Sequence, residues 1–218
     1  VKNAKAPHVA VVAMDPNNGK LLAIAEKSES ISNLALYSKF PAASVFKLVT
    51  ATSALERSPI DPYEPVRFRG GTYTLNRWNY LPNPRADRRQ MHLAEALGRS
   101  CNVVFARIAL KYLSGPILAH YAKNFGFNTP LGFELPLPPS SASMPDEDQF
   151  EFGKAAAGFG DVTLSPVHAA ALVASIANRG AMPRPVIVDR VVDQSGSVVF
   201  KSSPQIISQV MEPPTARR

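Results

Sequence analysis

Residues 40–55 read FPAASVFKLVTATSAL, a stretch that opens with the composition of a helix start. Proline is favoured in the first turn of a helix, and Pro41 stands just ahead of the run. Apolar or small side chains then recur at helical spacing on one face, at positions 45, 48, 49, 52 and 55. The stretch therefore predicts a helix that packs one face against a core.

On both sides of this helix the sequence predicts strands. Residues 8–13 and 21–25 are mostly apolar, and Asp15–Gly19 between them is dense in turn residues, which predicts a hairpin. Near the other end, residues 186–192 and 198–200 flank a short polar turn and predict a second hairpin.

Further helices are predicted between the two hairpins, at residues 93–97, 102–112, 116–125 and 166–178. Residues 58–90 and 129–150 show no sustained period and are predicted to be irregular. The order of strands, helices and strands predicts an α+β fold, with helices packed on an antiparallel sheet. We expect one domain over residues 1–218, with residues 1–7 as a linker.

Charge and hydropathy narrow the classes of partner. The 218 residues carry a formal net charge of +7, but the charges are scattered apart from Arg85, Arg88 and Arg89, so no nucleic acid partner is predicted. Attraction to an anionic cell envelope stays open. No apolar run reaches the roughly 20 residues of a membrane-spanning helix. We expect any membrane anchor to lie outside this chain.

Cys101 is the one cysteine, so it forms no internal disulfide and leaves the compartment open. A cysteine hydrolase with one of the four histidines as base is one interpretation. Packing as a small hydrophobe beside the apolar run 103–105 is the favoured one. The histidines stand far apart without ligand spacing, so neither a metal nor another cofactor is predicted.

Ser44 and Lys47 lie three residues apart, which places their Cβ atoms about 5–6 Å apart on one helix face. A serine hydroxyl needs a neighbour to take its proton, and a lysine with a lowered pKa can do this. The apolar flanks of Lys47 favour its burial. On spacing alone, however, a Ser-x-x-Lys match is expected roughly once by chance in a chain of this length, so a first-turn hydroxyl and a surface lysine remain alternatives.

Ser100 and Asn102 form a second candidate pair just before a predicted helix. Serine and asparagine are common helix caps. On spacing alone, capping is the favoured interpretation of this pair.

Several segments match a known pattern in the order in which they occur. They are Val12–Pro16 with Gly19 and Leu22-Ala23; Phe40–Lys47; Leu93–Leu97 with Arg99–Asn102; Phe125–Phe127; Gly158–Gly160 with Thr163–Pro166; and Ile176–Gly180. Together they resemble the transpeptidase domain of penicillin-binding proteins. The resemblance implies a β-lactamase/transpeptidase-like fold and is far more specific than any single match.

The resemblance also implies a mechanism. Ser44 would attack the penultimate D-Ala carbonyl of a peptidoglycan stem peptide, and Lys47 would take its proton. Ser100 would relay a proton to the leaving D-Ala, and Asn102 would bind the substrate's peptide amide. The backbone N–H of Ser44 would supply one oxyanion donor. β-Lactam antibiotics would acylate Ser44 as mimics of this substrate.

Two departures from the family pattern stand out. Ala43 occupies the position before the nucleophile where the family usually has glycine, and we expect little damage from it. The family's third motif, Lys-Thr/Ser-Gly, is absent, since Lys201 is followed by Ser202-Ser203-Pro204. We expect the chain to stop short of that motif and of the last strands of the sheet, and to be inactive alone.

The resemblance points to a serine D,D-transpeptidase in the bacterial periplasm or on the outer face of the cytoplasmic membrane, with cell-wall synthesis proteins as candidate partners. A D,D-carboxypeptidase is the nearest rival, since it differs only in using water as acceptor. A β-lactamase is disfavoured because nothing marks a deacylating base. A non-catalytic β-lactam sensor or scaffold is the alternative from another class.

Overall fold

The structure is a computed structural model that describes residues 6–58 and 60–218. Backbone contacts divide these residues into two compact units. The hairpin unit comprises residues 6–40, 124–140 and 164–218, and the helical unit comprises the remainder. The single domain over residues 1–218 stays a prediction, and residues 1–5 of the predicted linker lie outside the described residues.

The hairpin unit begins with the predicted pair of strands. Strand β1 (His8–Met14) pairs antiparallel with β2 (Leu21–Ser28). The turn between them is held by the Asp15 side chain, which accepts a hydrogen bond from the backbone N–H of Asn17 at 2.9 Å. Gly19 closes the turn at φ 74, a conformation that glycine adopts without steric cost.

The long apolar helix of this unit packs on β1. Helix α6 (Pro166–Ala177) begins as predicted, with the Ser165 hydroxyl accepting a hydrogen bond from the N–H of His168 at 3.2 Å. Alternate side chains of β1 face it, which is the period-2 pattern of a strand with one covered face. A turn of 3₁₀ helix at Leu34–Leu36 also contacts α6.

Two further strand pairs complete the hairpin unit. The predicted second hairpin is present as β6 (Arg190–Val192) and β7 (Val198–Lys201), and its first strand begins later than predicted. Val186 instead forms a parallel bridge with Lys20. The pairing of β5 (Ala181–Pro183) with β8 (Ile206–Gln209) was not predicted, because β5 is three residues long and contains a proline.

The helical unit contains the helix predicted from the opening stretch. A 3₁₀ turn at Ala43–Phe46 leads directly into α1. The α-helices that follow α1 (Lys47–Arg57) in this unit are α2 (Leu93–Gly98), α3 (Asn102–Tyr112), α4 (Gly115–Asn124, whose last residue belongs to the hairpin unit) and α5 (Gln149–Ala156). Helices α2 and α3 match their predicted bounds to within a residue. Their apolar faces join α1 in one core that includes Ala54, Phe68, Leu93, Val104 and Phe105.

The helical unit also differs from the sequence prediction in two places. The segment predicted to be irregular contains a strand pair, β3 (Val66–Phe68) with β4 (Arg89–Met91). Helix α5 was missed, and it carries Gly153 at its centre. A Cβ on Gly153 would lie 3.0 Å from the Cβ of Ala106 on α3, so the glycine permits close helix packing.

The α+β class is confirmed, with antiparallel strands arranged as four two-stranded sheets within the described residues. A short helix, α7 (Pro213–Ala216), lies near the end of the chain. Among residues 6–58 and 60–218, none of the helices has both the length and the apolar character needed to cross a bilayer.

Candidate active site

The turn that precedes Ser44 is held by two backbone hydrogen bonds. The N–H of Ala42 donates to the carbonyl of Val162 at 2.9 Å, and the N–H of Ala43 donates to the carbonyl of Gly158 at 2.8 Å. Ala43 adopts φ 46, in the left-handed region that disfavours residues with a side chain. This explains the family's glycine at that position, and it shows that alanine there carries backbone strain.

Gly158 is matched to this turn. A Cβ on Gly158 would lie 1.8 Å from the carbonyl oxygen of Ala43, closer than any real contact. Its own φ is 91, which also favours glycine. Gly158 therefore lets the backbone approach the residue before Ser44 closely enough to hold the strained turn.

Ser44 is exposed, and Lys47 one turn later is fully buried. The Lys47 Nζ donates a hydrogen bond to the Ser44 Oγ at 2.8 Å. The rings of Phe105 and Phe159 each lie 5.9 Å from the Nζ, measured to the ring centroid. The alternative of a surface lysine is therefore wrong, and the burial expected from the apolar flanks is confirmed.

Burial lowers the pKa of Lys47 from its usual 10.5 to about 8, and Cys101 has a smaller effect in the opposite direction. In the described part of the chain, no carboxylate forms an ion pair with Lys47. A lysine with this pKa is neutral in a useful fraction of molecules near neutral pH. It is therefore suited to accept a proton from the hydroxyl that it contacts.

Ser100 lies between α2 and α3, and its hydroxyl meets the same two groups. It forms a short hydrogen bond with the Ser44 hydroxyl, and the Lys47 Nζ lies 3.3 Å from its Oγ. Ser100 adopts φ 55, and Cys101 rather than Ser100 occupies the N-cap position of α3, without a side-chain capping hydrogen bond. The capping interpretation is thus wrong for Ser100, and the structure brings Ser44, Lys47 and Ser100 together.

Asn102 is the first residue of α3 and is buried. Its Nδ2 donates to the carbonyl of Tyr73 at 2.7 Å, and its backbone N–H donates to the carbonyl of Thr72 at 3.0 Å. Its Oδ1 is buried without a hydrogen-bond partner among the described residues. An unsatisfied buried acceptor is costly, which makes this oxygen a candidate contact for a substrate N–H.

The remaining candidates take no part in the hydrogen bonds among Ser44, Lys47 and Ser100. Cys101 is buried in the core of the helical unit, and burial raises the pKa of its thiol, which agrees with packing as a small hydrophobe. His168 is buried with its Nε2 2.7 Å from the carbonyl of Phe125. Lys201 is exposed at the end of β7. Within the described ranges, no group of three metal-ligating side chains is present.

Sequence reasoning missed the residues that shape the surroundings of Lys47. Phe159 and Gly158 stood in a matched segment, but nothing in their local pattern indicated a place beside Ser44 or Lys47. The positive φ of Ala43 had one indirect signal, the glycine that the family usually has there.

Comparison with known proteins finds a matching family and several similar proteins. The family model described as the penicillin binding protein transpeptidase domain matches residues 9–218. A curated relative, the peptidoglycan D,D-transpeptidase PbpA of Mycobacterium tuberculosis, is 27% identical over 212 residues, which covers 82% of this chain and 42% of that protein.

Solved structures agree in fold. The D,D-transpeptidase domain of a peptidoglycan glycosyltransferase from Eggerthella lenta matches with a TM-score of 0.77 and 25% identity, covering 98% of this chain and 59% of that one. Penicillin-binding protein A from M. tuberculosis, as an imipenem acyl-enzyme complex, matches with a TM-score of 0.75 and 25% identity, covering 95% and 55%.

The chain thus spans less than two thirds of the length of each of these relatives. The family match, in contrast, extends over nearly the whole chain and includes the Ser44–Lys47 turn, Ser100 and Asn102. This protein therefore belongs to the penicillin-binding protein transpeptidase domain family.

Proposed function

We propose that this chain carries the acylating residues of a peptidoglycan D,D-transpeptidase that acts on stem peptides ending in D-Ala-D-Ala. The observation that carries the proposal is the buried Lys47 Nζ, 2.8 Å from the Ser44 Oγ and 3.3 Å from the Ser100 Oγ. The relatives named D,D-transpeptidase and the acyl-enzyme complexes of penicillin-binding protein A support it.

In the first step, the Ser44 Oγ attacks the carbonyl carbon of the penultimate D-Ala, and its proton passes to the neutral Lys47 Nζ. The carbonyl oxygen becomes an oxyanion. The N–H of Ser44 is the candidate donor to it, because the first N–H groups of a helix lack intrahelical partners.

In the second step, the tetrahedral intermediate collapses and the bond to the terminal D-Ala nitrogen breaks. That nitrogen needs a proton to leave as an amine. The hydroxyl of Ser100 is hydrogen-bonded to both Ser44 and Lys47, so it can pass the proton from Lys47 to the leaving group. The products are free D-Ala and an ester on Ser44.

An amine on a neighbouring peptidoglycan strand then attacks the ester. The new amide bond is the cross-link, and the ester oxygen leaves as the free Ser44 hydroxyl. Water in place of the amine would make the enzyme a D,D-carboxypeptidase. The Oδ1 of Asn102 accepts the substrate's amide N–H in this proposal, which would satisfy the buried oxygen.

β-Lactam antibiotics acylate Ser44 by the same first step, since their amide takes the place of the D-Ala-D-Ala bond. We place the reaction outside the cytoplasm, in the bacterial periplasm or on the outer face of the cytoplasmic membrane, where peptidoglycan is built. Other cell-wall synthesis proteins are the proposed partners there.

Covalent labelling with a fluorescent penicillin tests the proposal. Ser44→Ala should abolish labelling of the full-length gene product with little change in folding, because Ser44 is exposed. Ser58→Ala, at the C-terminal end of α1, is the matched control and should label normally. A labelled peptide that does not contain Ser44 would contradict the assignment. Release of D-Ala with and without an added acceptor amine then separates cross-linking from hydrolysis.

A further inference from the structure

A loop of the helical unit, residues 69–88 between β3 and β4, is attached to α3 by the buried Arg107 as well as by the two hydrogen bonds of Asn102. The Nη1 of Arg107 donates to the carbonyl of Arg67 at 2.5 Å and to Asp87 at 2.6 Å. Its Nη2 donates to the carbonyls of Asn79 and Leu81 at 2.7 and 2.8 Å, and to Asp87 at 3.2 Å. The planar guanidinium thus joins strand β3, the middle of the 69–88 loop and Asp87 near the end of the loop at a single point.

The ion pair at this point stays charged. Burial alone would raise the pKa of Asp87, but hydrogen bonds from Arg107, from the N–H of Asn83 and from Arg69 lower it to about 2. Arg69 lies 3.0 Å from the same carboxylate. Arg107 and Asp87 are each about 3% exposed at their side chains, so water does not weaken the pair.

From Arg107, a short series of hydrogen bonds leads to Asn102. Asn79, whose carbonyl binds Arg107, is fully buried, and its Nδ2 donates to the carbonyl of Thr74 at 2.8 Å. The residue next to Thr74 is Tyr73, whose carbonyl accepts the Asn102 Nδ2 at 2.7 Å. The position of the Tyr73 carbonyl is therefore restrained by contacts that start at Arg107, about one and a half turns further along the same helix.

The Tyr73 carbonyl fixes the orientation of the Asn102 amide, and with it the atom that can bind a substrate. A carbonyl accepts only from the NH₂ side of the amide, so Nδ2 is held by the loop and Oδ1 is left without a partner. If the loop moved, the amide would lose this restraint and its Oδ1 would no longer be presented in one orientation.

We propose that Arg107, acting with Asp87 and Asn79 through the 69–88 loop, is a positioning residue that holds the amide of Asn102 with Oδ1 as the free acceptor. This inference rests on the proposed function, in which Asn102 binds the amide of the substrate. It assigns a part in substrate selection to a buried arginine that touches neither the substrate nor the nucleophile.

Two β-lactams separate this role from a purely structural one. Penicillin G carries a side-chain amide, whereas imipenem carries a hydroxyethyl group in its place. Arg107→Lys keeps the positive charge but has a single nitrogen in place of the two that bind the backbone carbonyls. Asn79→Ala removes the hydrogen bond to Thr74 and leaves the Arg107–Asp87 ion pair intact. In either variant, the acylation rate constant for penicillin G should fall about tenfold more than that for imipenem. A factor of about ten corresponds to the loss of one hydrogen bond, here the bond to the penicillin amide.

The ratio of the two rate constants makes the test robust, since partial unfolding lowers both rates equally. Asn79→Ala keeps the test available if Arg107→Lys does not fold. Lys111→Gln, an exposed position on α3, is the control and should leave the ratio unchanged. Asn102→Ala should shift the ratio in the same direction. Adding Asn79→Ala to Asn102→Ala should shift the ratio no further, because both changes remove the same contact, that of the Asn102 Oδ1 with the drug amide.

An unchanged ratio in folded Arg107→Lys and Asn79→Ala proteins would overturn the positioning role, as would additive effects of Asn79→Ala and Asn102→Ala. These measurements use the full-length gene product, and a full-length wild type that neither drug acylates would instead overturn the proposed function on which this inference rests.

Discussion

At the scale of single residues, the reaction proposed for the site depends most on Lys47. It is fully buried, its Nζ contacts both serine hydroxyls, and its pKa is lowered to about 8 mainly because burial disfavours the charged form. In the proposed mechanism acylation needs the neutral amine, so the rate should rise about tenfold for each pH unit below 8 and level off above it. Penicillin acylation rates measured from pH 6 to 10, with melting temperatures over the same range, check this profile.

Lys47→Arg is the companion variant for this pH profile. A guanidinium keeps the positive charge but does not lose its proton at usable pH. The acylation rate should fall by at least about two orders of magnitude, the usual effect of losing a general base. The rise of the rate with pH below 8 should also vanish. Lys111→Arg, on an exposed face of α3, should leave both unchanged. A mild effect of Lys47→Arg, or a retained rise near pH 8, would mean that another base operates.

At the scale of elements, the 3₁₀ turn that carries Ser44 and leads into α1 depends on one close backbone contact. Ala43 is strained at φ 46, so Ala43→Gly should stabilise the fold by about 1 kcal/mol. Gly158→Ala should destabilise it by more than this, because the new Cβ would collide with the Ala43 carbonyl. Gly98→Ala is the matched control, since nothing lies within 4 Å of a Cβ there, and it should be neutral or stabilising. Urea denaturation of the three variants measures these differences. Equal stability of wild type and Gly158→Ala would show that the turn tolerates displacement.

The elements also show where local sequence determines structure and where it does not. Helix α3 was predicted at its bounds because its apolar period and its flanking residues act within the segment itself. Strands β5 and β8 were missed because each is short and becomes a strand only through its distant partner. Helix α5 was missed because Gly153 weakens its local signal, and the reason for that glycine lies on α3.

The same contrast applies to the site. Spacing alone left Ser44 with Lys47 as a chance match and Ser100 as a cap, and only the ordered resemblance of many segments favoured catalysis. The contact between Ser44, Lys47 and Ser100 joins segments more than fifty residues apart, so no local pattern carries it. The burial that lowers the pKa of Lys47 likewise depends on Phe105 and Phe159, which are distant in sequence.

At the scale of the whole molecule, the described residues supply only part of what the proposed reaction needs. They bring together Ser44, Lys47 and Ser100, the proposed nucleophile, base and proton relay, and the Ser44 N–H is the proposed oxyanion donor. The family's Lys-Thr/Ser-Gly motif, which the resemblance associates with the substrate carboxylate and the second oxyanion donor, does not occur in the 218 residues. Lys201, the one lysine after Lys154, is exposed at the end of strand β7 and lacks the glycine of the motif.

The isolated 218-residue chain should therefore react with penicillin G slowly. Loss of a single oxyanion donor lowers acyl-transfer rates by about 10²–10³, and the absence of a carboxylate-binding lysine adds to this. Intact-mass measurement of the chain over time after addition of penicillin G should show slow, incomplete labelling. The Ser44→Ala chain corrects for labelling at other sites. Rapid, stoichiometric acylation of Ser44 would contradict the expectation, because it would mean that residues within this chain already bind the drug carboxylate and complete the oxyanion hole.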